Sequence, residues 1–281
     1  MTTGDRDERE LPAGTHTDFT EAMSYGDYLG LGAILNAQRP CSDEHDELLF
    51  IIIHQATELW LKLVLHELYG ARREIAGGGL GHAFKMLARV ARIQNQLIQS
   101  WSVLSTLTPA DYLRFRDSLG HSSGLQSFQY REIEFVLGNK RAAYLKPFAH
   151  DPAIHARLSR ALAEPSLYDA AIELLARRGF AISDAHLARD RSAPYEPDAS
   201  VAAAWAEVYR NTEKHWDLYE LAEKLVDLED SFQQWRFRHL KTVLRIIGNK
   251  RGTGGTAGVG YLEGALRFSF FPELWNVRTD L

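Results

Sequence analysis

Two histidines sit where the surrounding spacing asks for apolar side chains. Between Asp43 and Ile75, one helical face carries Phe50, Ile53, His54, Thr57, Leu61, Val64 and Leu68, with His54 in mid-stripe. Further along, Phe232, Trp235, His239, Val243 and Ile246 share a face around His239. An inward imidazole is either a hydrogen-bonded core group or a neutral lone pair available to a metal. Both readings stay open from spacing alone. His66 shares a charged stripe with Glu58 and Lys62, which predicts a solvated ring, and His215 is a weaker inward candidate.

The chemistry open to two inward imidazoles is narrow. A dinuclear carboxylate centre needs Glu-x-x-His on facing helices. A zinc hydrolase wants His-Glu-x-x-His, whereas HQATE supplies only His54 and Glu58 at i, i+4. Haem needs one imidazole on iron and tolerates a second group opposite. Without Cys-x-x-Cys-His, such a haem would be non-covalent. The string WRFRHLKTVLR surrounds His239 with Arg236, Arg238, Lys241 and Arg245, which suit propionates or a solvated face, and with Phe232, Trp235 and Phe237, which suit a macrocycle. In DYLRFRDSLG, Arg116 beside Tyr112 could clamp a carboxylate. In RGTGGTAGVG, Gly252, Gly254 and Ala257 meet a loose G-x-G-x-x-A, but a helix precedes it and no βαβ unit surrounds it, so dinucleotide binding is rejected. What remains is a connector, or a loop whose Thr253 hydroxyl closes over a polar ligand.

These residues need long helices to position them, and the chain provides that pattern. Period-2 alternation is nearly absent, so the expected fold is all-α: a bundle of long helices packed in parallel or antiparallel fashion, with a small helical insertion at residues 150–200. Residues 1–18 read as a flexible arm and 19–281 as one domain. Expected helices cover Tyr25 to Ala37, Asp43 to Ile75 with Ser42 as N-cap, Gly81 to Leu104, Pro109 to Ser118 with Thr108 as N-cap, and Ser127 to Leu137. A helical run from Ala199 to Ile247 is expected to break near Asp227 to Ser231. The lone Cys41 excludes a disulfide scaffold and fits a reducing compartment. The net charge of -5 offers no field for nucleic acid or an anionic membrane. No uninterrupted apolar run reaches the ~18 residues of a bilayer span, and no signal peptide precedes the acidic N-terminus, so a cytoplasmic protein is expected.

Four strings resemble the tryptophan 2,3-dioxygenase family: LLFIIIHQATELWLKL, WSVLSTLTPADYLRFRDSLGHSSGLQS, FQQWRFRHLKTVLRIIGNKRGTGGTAGVGYL and FFPELWNVRT. The resemblance spans about Tyr25 to Thr279. It implies insertion of both atoms of O2 across the indole C2–C3 bond of L-tryptophan, giving N-formyl-L-kynurenine, with one non-covalent haem b (iron protoporphyrin IX) per subunit. It implies His239 as proximal iron ligand and His54 as the distal histidine that accepts the indole N–H. Phe50 would stand beside the oxygen site and Tyr112 in the pocket wall. Arg116 would bind the substrate carboxylate and Thr253 its amino acid end. It further implies a homotetramer, a dimer of dimers, in which Tyr25, Tyr28 and Leu29 reach a neighbouring subunit's site. A haem sensor or carrier without turnover, and a helical interaction protein with structural histidines, are the rival readings.

Overall fold

The computed structural model describes residues 11–255 and 258–281. The first ten residues of the expected arm, and Thr256 and Ala257 of the glycine-rich stretch, lie outside the described residues. Among the described residues every regular element is helical, as expected, and the chain divides into two compact units that meet between Arg39 and Pro40.

The first unit carries two short helices, α1 (Tyr25–Leu29) and α2 (Leu31–Leu35), where one was expected. Ser24 and Asp27 form a reciprocal capping box at the start of α1. Gly30, at φ 62°, takes the left-handed conformation that ends it.

The second unit is built on three long helices. They are α3 (His45–Gly77), α4 (Leu80–Leu104) and, later, α11 (Trp216–Ile247). Between them lie α5 (Pro109–Phe115), α6 (Phe128–Leu137), α7 (Pro152–Ala163), α8 (Leu167–Arg177), α9 (Asp184–Leu187) and α10 (Ala199–Arg210). The chain ends with α12 (Val259–Leu266) and α13 (Pro272–Asp280). Helix α4 packs against both α3 and α11. Its stripe of Leu80, Ala83, Leu87, Val90, Ile93 and Leu97 is buried at the 3–4 spacing of a core-facing helix. The α3 backbone approaches α4 closely at Gly70, where a Cβ would stand 2.8 Å from Met86 Sδ. Leu167 to Leu175 of α8 join this same central core.

Two expectations are corrected. Ser42 is not the N-cap of α3: Glu44 holds that position without a side-chain bond. Instead the Glu47 carboxylate accepts the backbone N–H of Cys41 (2.7 Å) and Ser42 (2.8 Å), tying the preceding turn to the first turn of the helix. Helix α3 also holds a window of mean hydropathy 1.6 that is long and apolar enough to cross a membrane by length and composition alone, although no uninterrupted apolar run reaches that length. Finally, α11 runs unbroken through Asp227 to Ser231, and the interruption falls at residues 211–215.

A buried carboxylate in mid-helix is costly unless paired. Glu229 is 1% exposed, and its two oxygens accept the backbone N–H groups of Phe270 (2.8 Å) and Phe271 (3.0 Å). It thereby anchors the segment leading into α13. Glu229→Ala should lower unfolding stability by roughly 2–4 kcal/mol, since two buried donors lose a charged acceptor. A urea midpoint within error of the wild type would show that the anchor carries no stability.

Candidate active site

His54 and His239 face one cavity of about 510 Å³ in the second unit, a volume within the usual range for ligand pockets of roughly 300–1,000 Å³. Helix α3 supplies Phe50, Ile53, His54, Thr57 and Glu58 to its wall, and α11 supplies Trp235, Arg236, His239, Val243 and Ile246. The helical spacing read from the sequence thus brings both rings to the same space.

The two imidazoles are neutral for a shared reason. Burial pushes His239 down to about 4, and the neighbouring His54 adds to that depression. Burial also holds His54 below the ordinary histidine value, against smaller opposing effects of the Phe50 carbonyl and Glu58. The hydrogen bonds of the rings differ. His54 Nδ1 lies 2.6 Å from the Phe50 carbonyl oxygen. A carbonyl only accepts, so Nδ1 carries the proton and Nε2 keeps its lone pair. Among the described residues no hydrogen bond engages the His239 ring. Trp101 stacks on it at 4.5 Å and 8°, and Trp235 stands 5.6 Å away.

A buried ionic cluster completes the wall. Arg131 and Arg236, each 3% exposed, converge on Glu134. Arg236 Nη2 donates to Glu134 Oε1 at 2.9 Å, and Arg131 donates to the other oxygen. Arg131 also donates to the Tyr261 hydroxyl (2.7 Å) and Arg236 to the Ala265 carbonyl (3.0 Å), so α6, α11 and α12 are tied at one point. Arg131 and Arg236 line the cavity together with the half-buried carboxylate of Glu58, so the wall offers fixed guanidinium donors rather than a net positive charge. A free imidazole, flat aromatic walls and buried guanidinium donors together fit haem: a nitrogen for iron, rings for the macrocycle and donors for its carboxylates.

The remaining expected residues are distributed unevenly. Tyr112 lies in the wall 5.9 Å from the Phe50 ring. Burial raises its phenol, with the adjacent Arg116 opposing. Arg116 itself is outside the cavity lining: its Nη2 donates to the Arg251 carbonyl at 2.7 Å, while its buried Nε has no partner. Thr253 lines the cavity and donates its hydroxyl to the Ser122 carbonyl. The glycine-rich loop packs so closely there that a Cβ on Gly254 would stand 2.6 Å from Ser123 Cβ. Tyr25, Tyr28 and Leu29 belong to α1 of the first unit, where all three are exposed. The sequence reading missed Trp101, Tyr130, Arg131 and Glu134. Only the Arg131–Glu134 spacing at i, i+3 hinted at a pair, and nothing local marked it as buried.

The model of the tryptophan 2,3-dioxygenase family matches residues 11–208 and 206–281 of the chain. A tryptophan 2,3-dioxygenase of Bacillus cereus is 60% identical over 271 residues, covering 96% of this chain and 97% of its own length. That of Cupriavidus necator is 61% identical over 268 residues, covering 95% and 91%. Tryptophan 2,3-dioxygenase 1 of Ralstonia nicotianae is 60% identical over 264 residues, covering 94% and 90%.

Burial of neutral imidazoles predicts a pH dependence for the protein freed of any bound group. The folded pKa of His239 lies below its unfolded value near 6.5, so the unfolded chain binds more protons between about 6.5 and about 4. Stability is complete above 6.5 and is lost as pH falls through that window. Urea titrations at pH 7, 5.5 and 4.5 should show this decline, and His239→Leu should flatten it. An equal slope in the variant would mean that other groups cause it.

Proposed function

The chain belongs to the tryptophan 2,3-dioxygenase family, and from that premise we propose how its cavity performs the family's reaction. Both atoms of O2 enter tryptophan as the indole C2–C3 bond breaks, giving N-formylkynurenine. The four electrons that reduce O2 come from the substrate, so no separate reductase enters the balance. The family implies a haem cofactor, which when bound supplies the iron that activates O2. Our finer reading is one non-covalent haem b per subunit, with His239 as its protein ligand and Arg131 and Arg236 opposite its carboxylates.

The observation that carries this reading is the proton arrangement at His54. Its Nδ1–H is committed to the Phe50 carbonyl, so Nε2 is the free acceptor of a ring that lines the cavity. An indole N–H is a donor of matching kind. Because it is too weakly acidic to give up its proton readily, His54 orients the indole rather than deprotonating it. Phe50 and Tyr112 form the flat wall against which the ring lies. Arg116 is the group for the substrate carboxylate, and Thr253 the hydroxyl for its amino acid end. In this structure both are held by backbone carbonyls of the loops around the cavity. Substrate binding therefore replaces two internal hydrogen bonds, and the substrate's zwitterionic end fixes where C2 and C3 stand.

The rest of the assignment is assembly and location. We propose a homotetramer, a dimer of dimers, in a cytoplasmic setting. The exposed Tyr25, Tyr28 and Leu29 of α1 and the exposed Leu48, Ile52 and Leu59 of α3 support association between copies, since such apolar surface is otherwise left in water. Tyr25, Tyr28 and Leu29 are the segment proposed to complete a neighbouring subunit's site.

Two substitutions test the roles. His239→Ala should abolish stable haem binding in the purified protein, because its imidazole is the proposed bond to iron. A normal histidine-ligated haem spectrum in that variant would refute the assignment. Arg116→Ala should raise the KM for L-tryptophan about tenfold or more, the loss of a charge-assisted hydrogen bond worth roughly 1.5–3 kcal/mol. An unchanged KM would place the carboxylate elsewhere.

A further inference from the structure

A second cavity of about 860 Å³ lies on the reverse face of α11. Glu229, Gln233 and Phe237 line it, whereas Trp235, His239 and Ile246 face the first cavity. The two sets point to opposite sides of one helix. Its other walls come from Ile98 of α4, from Leu266 to Ser269 after α12, and from Pro272, Trp275 and Asn276 of α13.

Two observations define what this groove would take. Its walls are flat and apolar: Phe237, Phe268 and Trp275 contribute rings, with Ile98 and Leu266 between them. Phe237 is 48% exposed, an aromatic surface left in water. Its charge is positive. Arg238 and Arg267 both line it, both are exposed, and among the described residues neither guanidinium has a carboxylate partner. The one carboxylate in the lining, Glu229, is already consumed by the backbone N–H groups of Phe270 and Phe271.

We propose that this groove is an accessory binding site for a small planar aromatic carboxylate, its ring against Phe237, Phe268 and Trp275 and its anion against Arg238 and Arg267. Planar rings suit stacked aromatic walls, and guanidiniums bind carboxylates in bidentate fashion. The site is separate from the one that carries the family's reaction. The proposal therefore does not rest on the roles assigned to His54 or Arg116.

The test uses the haem-loaded protein with 2-naphthoate as probe, under anaerobic conditions and with saturating L-tryptophan, so that the first cavity is filled and nothing turns over. Calorimetric titration should show one saturable site per chain, weakened by added salt. In the Arg238→Ala/Arg267→Ala variant the affinity should fall about tenfold or more, with an unchanged KM for L-tryptophan. The uncharged 2-naphthol should bind the wild type more weakly than the carboxylate does. No binding in the presence of tryptophan would overturn the proposal. So would equal binding by the variant, or equal binding of 2-naphthol, which would reveal an apolar surface only. A lower molar mass of the variant in solution, with no naphthoate binding by the wild type, would instead make the groove an interface between copies of the chain.

Discussion

An imidazole held neutral well below pH 7 needs burial, and its proton must be placed by a group that can only accept. The cavity between α3 and α11 meets both needs. Burial sets the protonation state of both rings. The Phe50 carbonyl then sets the tautomer of His54. That carbonyl is available because it belongs to the same helix one turn earlier, where a side-chain N–H can compete for it. The histidine and its orienting group therefore arrive together on one rigid element, and no loop has to settle before the acceptor nitrogen is in place.

The same low dielectric makes the ionic cluster beneath the cavity consequential. A guanidinium buried alone would be strongly unfavourable, and two would repel each other. Glu134 makes their proximity tolerable by accepting from both. Glu58 brings a carboxylate to the lining, so the wall holds fixed guanidinium donors rather than a net charge. An anionic group entering the cavity meets donors already desolvated and already oriented. Because Arg131 also holds Tyr261 and Arg236 also holds Ala265, the segment that follows the glycine-rich loop is anchored to this charge pair.

Periodicity made most of the architecture legible. The stripes around His54 and His239 placed both rings correctly because a helix of more than thirty residues leaves little choice of face. Thr108 and Pro109 opened α5 as read, with Asp111 completing the capping box. The misreadings share one physical origin. Ser42 looked like a cap, and Asp227 to Ser231 looked like a break, because local rules treat a polar residue as facing water or a helix end. Glu47 and Glu229 instead spend their carboxylates on distant or preceding backbone N–H groups. Partners so placed leave no mark in the local pattern. The Arg131–Glu134–Arg236 cluster was hidden for the same reason, since its two arginines lie on separate helices.

The groups proposed for the substrate's amino acid end are not idle without it. Arg116 reaches across to the Arg251 carbonyl, and Thr253 reaches the Ser122 carbonyl, so the glycine-rich loop and the turn after α5 are stitched together. A carboxylate competes well for Arg116, because a charged acceptor forms a stronger bond than a neutral carbonyl. The unpartnered Arg116 Nε shows that the internal bond leaves part of the guanidinium unused. A bidentate acceptor would engage both nitrogens, so exchange of the loop carbonyl for a carboxylate gains a bond as well as a charge. The loop would then be released from Arg116 when the site fills, and Gly254, whose close approach to Ser123 excludes any side chain, keeps Thr253 within reach of the cavity.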